Sequence, residues 1–202
     1  WFRAYWYFWF QWDMFWAKRF WKKISRDFTK MYWYLSGRTY KQTYWFGVRA
    51  LKNPMDMWVY QEILYETQPD ILVETGTAEG GSALFFAHIF DLIGHGKVLT
   101  VDIEKQHNLN HPRIQFFHGS STDPAIFQKI ERLCRNKKVM VVLDSDHSKE
   151  HVAEELQLYA PLVSKGCYLV MEDTLLGQNF VITGGHKSVI HALREWLPQH
   201  PN

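Results

Sequence analysis

Three carboxylates in the second half of the chain stand where two apolar runs end. Asp144 closes KVMVVLDS (138–145), while Glu172 and Asp173 close CYLVMEDT (167–174). If both runs are parallel strands, their carboxyl ends meet at one edge of the sheet. Hard oxygen ligands that converge from neighbouring strands suit Mg²⁺ or another hard divalent cation. The pattern therefore predicts a metal site made of Asp144, Glu172 and Asp173.

One histidine follows the first of these acids closely. His147 stands three residues after Asp144, so it is a candidate general base beside the predicted metal. A structural interpretation stays open, in which His147 is a solvated histidine at the start of a helix. In that case Asp146 or Ser148 only caps the helix and Asp173 serves in a turn.

A glycine-rich turn follows an earlier apolar run. ILVETG (71–76) leads directly into GTAEGGS (76–82), ahead of a helical pattern. Glycine lets the backbone approach a ligand closely, and the start of a helix offers free N–H groups. Ala78 occupies the position of the second glycine in GxGxxG, so the loop is not expected to bind the pyrophosphate of a dinucleotide.

An acid at the end of the next apolar run extends this pattern. Asp102 lies in KVLTVDI (97–103), 26 residues after Gly76, where it can accept hydrogen bonds from ribose hydroxyls. The glycine turn and this acid together favour a cofactor that contains a nucleoside. The alternative is that these turns have only a structural role and bind no cofactor.

The elements that must position these residues alternate along the chain. Predicted strands cover 71–76, 97–103, 114–120, 138–145 and 167–174. Predicted helices cover 55–68, 83–93, 123–135 (with Asp123 as its N-cap), 148–163 and 188–197. Short apolar strands that alternate with helices predict an α/β fold. We expect a doubly wound, mostly parallel, Rossmann-like sheet with helices on both faces.

Composition narrows the class of protein. The chain has 202 residues, 47% of them hydrophobic, which is enough for one domain with a substantial core. Its two cysteines, Cys134 and Cys167, are too few for a disulfide scaffold or a thiolate zinc site and favour a reducing compartment. The net charge of +2 gives no general attraction to nucleic acid, and no apolar run is long enough for a transmembrane helix. We therefore expect a cytoplasmic protein without a nucleic-acid partner.

The N-terminal segment differs from the rest of the chain. Residues 1–52 carry 11 Lys and Arg against two acids, a charge of +9, whereas the remainder carries −7. We predict a helical arm over residues 1–40, aromatic, basic and amphipathic, followed by a globular domain over 41–202. The apolar face of the arm is formed by Ala17, Phe20, Trp21, Ile24, Phe28 and Met31, and the basic face by Lys18, Arg19, Lys22, Lys23 and Arg26.

Two partners are open for this arm. It can pack on the domain or on a sister subunit, and the density of tryptophan favours a homo-oligomer. It can also lie on a membrane surface through residues 1–34, which would make the protein peripheral to the membrane.

Several segments together resemble the cephalosporin hydroxylase / rhamnosyl O-methyltransferase family. They are WFGVRALKNPMDMWVYQEI (45–63), VETGTAEGGSA (73–83), FFHGSS (116–121), VVLDSDHSKEHV (141–152) and ELQLYAPLVSKGCYLVMEDT (155–174). The resemblance covers roughly residues 40–190, and LDSDHS followed by EDT is its most specific feature. It implies a class I methyltransferase that uses S-adenosylmethionine and Mg²⁺, acting on a hydroxyl of a sugar, glycolipid or natural product.

The resemblance also implies roles for individual residues. Asp102 would bind the ribose, Ser120 would lie by the adenine, and His147 would stand in the place of the catalytic base, next to Asp144. The S-adenosylmethionine loop would consist of Glu74, Gly76, Thr77, Gly81 and Ser82, and the Mg²⁺ ligands would be Asp144, Glu172 and Asp173.

The C-terminus departs from the family pattern, and two other functions stay open. Family members usually continue with further strands, so we expect the domain to be truncated at its C-terminus. A nicotinamide-dependent oxidoreductase would use the same fold. A non-catalytic module that associates with a membrane or an assembly through the arm is the alternative from another class. The iron chemistry implied by "hydroxylase" is not expected, because no H-x-D motif is present.

Overall fold

The computed structural model describes residues 20–21, 23–175 and 188–200. The helices in these ranges are α1 (20–34, with residue 22 not described), α2 (Pro54–Thr67), α3 (Gly81–Ile93), α4 (Pro124–Cys134), α5 (Lys149–Tyr159) and α6 (Val189–Trp196). The strands are β1 (Tyr44–Trp45), β2 (Val48–Arg49), β3 (Ile71–Thr75), β4 (Lys97–Asp102), β5 (Ile114–His118), β6 (Val139–Leu143) and β7 (Leu169–Met171). Short 3₁₀ helices cover Ser36–Arg38, Tyr40–Gln42, Ala160–Leu162 and Leu197–Gln199.

Five strands form one parallel sheet in the order β5-β4-β3-β6-β7. The chain begins this sheet at its centre, adds two strands on one side and then crosses over to add two on the other. The strand order therefore reverses between β3 and β6, and ligands in such sheets bind outside the carboxyl ends of the strands at this switch point. β1 and β2 form a separate antiparallel hairpin.

Helices cover both faces of the sheet. Val73 and Val141 face one core, which they share with α4, α5 and α6, while Leu72 and Met140 face the other, with α2 and α3. Neighbouring residues of a strand point to opposite faces, so a central parallel strand must be apolar at every position. The doubly wound α/β fold expected from the sequence is confirmed.

Local signals set several helix boundaries. Asp123 caps α4 as predicted, and its carboxylate accepts hydrogen bonds from the backbone N–H groups of Ala125 and Ile126. The predicted helix over 148–163 is α-helical only to Tyr159 and continues as a 3₁₀ turn, because Pro161 has no backbone N–H to donate to the carbonyl four residues earlier. The predicted strand over 114–120 ends at His118.

The predicted arm lies only partly within the described residues. The aromatic opening, together with Ala17, Lys18, Arg19 and Lys22, lies outside them. The described part of α1 exposes several large apolar side chains: Phe20, Trp21, Ile24, Phe28 and Met31. Within the described ranges, no helix combines the length and the hydropathy needed to cross a membrane.

Candidate active site

A cavity of about 670 Å³ opens at the switch point of the sheet. This volume is in the range of small-molecule sites. Eight of the residues predicted from the sequence line it: Gly76, Thr77, Ser82, Asp102, Ser120, Asp144, His147 and Asp173. The other three, Glu74, Gly81 and Glu172, lie beside it. One side of the cavity is formed by the ends of β4 and β5, and the other by the residues that follow β6 and β7.

Gly76 lets the loop after β3 lie against the end of β6. Its φ is +84°, in the region that favours glycine, and a Cβ at this position would overlap the backbone carbonyl of Asp144. Gly81 has a different role, because a Cβ there would overlap the carbonyl of Arg49 in β2. The first glycine therefore brings the two halves of the cavity together, and the second packs α3 against the hairpin.

Asp102 is fixed at the end of β4 by backbone donors. Its Oδ2 accepts from the N–H of Ala78 at 2.8 Å, and its Oδ1 accepts from the N–H of Glu104 at 3.0 Å. Each carboxylate oxygen has a second lone pair, so the group can still accept hydrogen bonds from a ligand in the cavity.

Two hydroxyls complete this side of the cavity. Thr77 Oγ1 lies 2.6 Å from Thr100 Oγ1, so the threonine of the loop is tied to β4. Ser120 Oγ lies 3.1 Å from Thr122 Oγ1, just beyond β5.

Glu74 lies beneath the glycine loop and does not line the cavity. Its side chain is fully buried, Oε2 accepts from Thr100 Oγ1 at 2.7 Å, and Oε1 has no hydrogen-bond partner among the described residues. Burial raises the pKa of this carboxyl to about 7, and the positive charge of Lys52 only partly opposes that effect.

The opposite side of the cavity carries a cluster of possible metal ligands. Asp144, His147 and Asp173 each offer a ligand atom, and these atoms lie within 4.8 Å of one another. Carboxylate oxygens and water are the ligands Mg²⁺ prefers, so the two aspartates fit a hard divalent cation. Asp173 has φ +51°, a strained conformation for a residue other than glycine and one often found at functional sites.

Glu172, the third predicted metal ligand, is directed elsewhere. Its Oε1 accepts hydrogen bonds from Lys52 Nζ at 3.0 Å and from the hydroxyl of Tyr60. The structure thus places Glu172 next to the cluster but outside the group of three.

Lys52 is a residue of the site that was not predicted from the sequence. Its side chain is 4% exposed, and its ammonium forms ion pairs with both Asp144 and Glu172. Burial lowers the pKa of a lysine, but the neighbouring carboxylates Asp144, Glu172 and Glu74 outweigh that effect and hold the pKa above its usual value. Lys52 lies in the segment 45–63 that resembles the family, which was the available signal, but its partners are 92 and 120 residues away in sequence.

The environment of His147 determines whether it can accept a proton. Its Nε2 lies 2.9 Å from Asp173 Oδ2 and 3.6 Å from Asp144 Oδ1. Burial lowers the pKa of the imidazole, but interactions with Asp144 and Asp173 outweigh burial and raise it to about 10. At neutral pH the imidazole is therefore protonated, and it becomes a base only when further positive charge on the two aspartates lowers its pKa.

The sequence model of the family described as "Rhamnosyl O-methyltransferase/CmcI" matches residues 38–202. The chain belongs to this family. Rhamnosyl O-methyltransferase of Mycobacterium tuberculosis (strain ATCC 25618 / H37Rv) is 43% identical over 166 residues, which cover 77% of this chain and 66% of the relative. The protein of the same name from Mycobacterium leprae (strain TN) is 44% identical over 143 residues, 67% of this chain and 62% of the relative. The chain thus spans about two thirds or less of the length of these relatives.

Solved structures share the fold. A cmcI structure with Mg and SAM has a TM-score of 0.57 at 20% identity and covers 80% of this chain and 62% of that chain. The MycE methyltransferase in complex with Mg, SAH and mycinamycin VI has a TM-score of 0.56 at 20% identity and covers 73% of this chain and 42% of that chain. Identities this low show the likeness of the fold alone.

Proposed function

We propose that this chain is an O-methyltransferase that uses S-adenosylmethionine and Mg²⁺ and acts on a hydroxyl of a sugar, a glycolipid or another natural product. The observation that carries the proposal is the single cavity in which the glycine loop and Asp102 face the cluster of Asp144, His147 and Asp173. Membership of a family whose description names a rhamnosyl O-methyltransferase supports both the reaction and a sugar as the acceptor.

The cofactor would bind on the β3–β5 side of the cavity. Asp102 would accept hydrogen bonds from the ribose hydroxyls, and Ser120 would lie beside the adenine. Glu74 and Gly81 would act from outside the cavity, by supporting the loop and by packing α3. The residues that would line the binding site of S-adenosylmethionine are Gly76, Thr77, Ser82, Asp102 and Ser120.

The metal would bind on the β6–β7 side. Asp144 and Asp173 would supply carboxylate oxygens directly. Glu172 would join them if one of its oxygens stays free while Oε1 keeps its contacts with Lys52 and Tyr60. When bound, Mg²⁺ lowers the pKa of a neighbouring hydroxyl, and S-adenosylmethionine supplies an electrophilic methyl group.

The chain's own residues would then hold the acceptor and move one proton. His147 would accept the proton of the acceptor hydroxyl on its imidazole, while S-adenosylmethionine would supply the methyl group and leave as the neutral thioether. Asp173 and Asp144, which lie beside the imidazole, would hold it in place. Asp102 and the glycine loop would fix the other reactant, so that much of the rate acceleration comes from positioning.

A methyl-transfer assay tests the proposal. The protein is incubated with S-adenosylmethionine, Mg²⁺ and a panel of acceptors led by methyl α-rhamnopyranoside, and mass spectrometry detects a monomethylated product. We expect product with Mg²⁺ and its loss in EDTA. A folded protein that neither binds S-adenosylmethionine nor methylates any acceptor would contradict the proposal.

We further propose that residues 1–40 form an arm before the domain over 41–202, that the end of this arm packs on the domain, and that the exposed apolar residues at the start of α1 contact a second copy or a membrane surface. Trp21 and Ile24 are 56% and 63% exposed on this helix, next to the basic Lys23 and Arg26. Sedimentation velocity and co-sedimentation with anionic vesicles distinguish the two partners. A monomer that binds no vesicles would contradict both.

A further inference from the structure

An aromatic surface covers the acidic side of the cavity. Trp33 in α1 and Tyr40 in the following 3₁₀ turn are stacked, with ring centroids 5.3 Å apart and an angle of 20° between the rings. Tyr32 lies 6.4 Å from Tyr40, and Phe28 lies 5.8 Å from Tyr32. These four rings, which we call the aromatic platform, all come from the segment before β1.

All four platform rings border the metal ligands, and only Trp33 and Tyr40 also line the cavity that contains the proposed cofactor residues. Trp33 and Tyr40 line the 670 Å³ cavity and also a smaller cavity of about 140 Å³. The lining of the smaller cavity includes all four platform rings and the three predicted metal ligands, Asp144, Glu172 and Asp173. Asp102 and Ser120, at the ends of β4 and β5, do not line it, so the two ends of the site have different surroundings.

Core packing does not account for the two central rings. Trp33 and Tyr40 are each half-buried, and neither belongs to the core on either face of the sheet. Half-exposed rings that line a cavity together with a few polar groups are typical of a small-molecule site.

We propose that the aromatic platform binds the sugar ring of the acceptor, with the outer face of the stacked Trp33–Tyr40 pair against its apolar face; this inference rests on the proposed function. A pyranose presents C–H bonds on one face and hydroxyls around its edge. The C–H face matches the negatively charged face of an aromatic ring, and burial removes apolar area of both from water. The hydroxyls at the edge are then directed to the carboxylates and to His147.

The position of Trp33 in the chain makes it a specificity residue. The family model begins its match at residue 38, so Tyr40 lies within the matched region whereas Trp33 and the rest of α1 do not. This chain therefore adds a wall to the metal side of the site from outside the matched region. Relatives with another residue or another segment there would hold a different acceptor at the same carboxylates.

The test compares three variants: Trp33→Ala, Trp33→Phe and Trp58→Ala. Trp58 in α2 is the control, because it is a tryptophan that is 68% exposed and lines neither cavity. KM and kcat are measured with methyl α-rhamnopyranoside, the Kd for S-adenosylmethionine by calorimetry, and folding by circular dichroism. We expect Trp33→Ala to raise KM about two- to tenfold with an unchanged cofactor Kd, Trp33→Phe to restore most of the loss, and Trp58→Ala to match the wild type.

Two results would overturn the inference. One is an unchanged KM in Trp33→Ala. The other is a rise in KM accompanied by an equal weakening of cofactor binding, which indicates a structural role. If Trp33→Ala does not fold, the comparison of Trp33→Phe with Trp33→Leu decides, since only the aromatic variant should keep a low KM. A wild-type protein that methylates no sugar is a separate outcome, because it overturns the proposed function as well.

Discussion

The two sides of the cavity are built in different ways. The β3–β5 side is made largely by backbone: a glycine turn, an aspartate held by two N–H groups, and hydroxyls that contact other hydroxyls. The β6–β7 side is made by side chains that meet from distant parts of the chain, with Lys52 and Tyr60 holding acids up to 120 residues away. The contacts of the first side follow from the order of neighbouring strands, whereas those of the second side depend on side chains much farther apart in sequence.

The difference extends to charge. On the β3–β5 side, Asp102 accepts hydrogen bonds from two backbone N–H groups. On the β6–β7 side, Asp144, Glu172 and Asp173 share two cationic neighbours, Lys52 and the protonated His147. That side should therefore respond strongly to the loss of a single charge, and the other side should not.

The largest expected effect is on catalysis at Asp144. Replacing it with asparagine removes a proposed metal ligand and a partner of His147, so we expect turnover to fall by about a thousandfold. Mn²⁺ binding, followed by electron paramagnetic resonance, should weaken in parallel. The control is Asp123→Asn, because asparagine still caps α4. Wild-type Mn²⁺ affinity in Asp144→Asn would show that the metal binds elsewhere.

The next effect is on stability at Lys52. Lys52→Met leaves the partly buried Asp144 and Glu172 without the buried ammonium that pairs with both, which should lower the free energy of unfolding by about 3–5 kcal/mol in EDTA. Mg²⁺ should restore more stability to this variant than to the wild type, because it supplies the missing positive charge. Urea unfolding in both buffers measures this.

The control for this prediction is Lys149→Met, which removes an ion pair with Glu195 at the surface. A surface pair contributes less than about 1 kcal/mol. Equal losses of stability in the two lysine variants would mean that the ion pairs of Lys52 contribute no more to stability than a surface ion pair does.

Gly76 is where the two sides of the cavity contact each other, so a substitution there should disturb both. Gly76→Ala places a Cβ against the carbonyl of Asp144 and forces a strained φ, so we expect a loss of roughly 3 kcal/mol in stability together with weaker cofactor binding. Gly94→Ala is the matched control, since its φ is +91° but no atom lies within 4 Å of the new Cβ. It should show the cost of strain alone, about 1 kcal/mol. Equal losses would indicate that the close approach of β3 and β6 has no energetic role.

The smallest effect concerns pH and Glu74. Its pKa of about 7 when folded exceeds the ordinary value of 4.5, so between these values the folded state keeps a proton that the unfolded chain has released. The unfolded state then binds fewer protons, and stability falls as pH rises through this window. From pH 5 to 7.5 this carboxyl should account for about 2 kcal/mol of that fall.

Glu74→Gln should remove this part of the pH dependence, and urea unfolding across the same pH range measures it. Glu66→Gln, on the exposed face of α2, should leave the wild-type profile unchanged. If Glu74→Gln also keeps the wild-type profile, the buried carboxyl does not titrate in this range.

What could be predicted from the sequence follows the same division. Gly76, Asp102 and Asp144 follow apolar strands within a few residues, and the switch-point rule places strand ends at one edge, so eight of the predicted residues share the cavity. The turn of Glu172 toward Lys52 and Tyr60 could not be predicted, because it depends on long-range contacts. Trp33 was missed as a lining residue for the same reason, since helical periodicity does not reveal what covers a distant strand end.

Calorimetric titration with S-adenosylmethionine, in Mg²⁺ and again in EDTA, tests the central claim most directly. The account predicts micromolar binding in both buffers, because the residues proposed to hold the cofactor lie on the side of the cavity away from the metal ligands. Asp102→Asn should bind more weakly in both buffers, while Asp144→Asn should bind like the wild type in EDTA. A folded protein that binds no S-adenosylmethionine in either buffer would contradict the account.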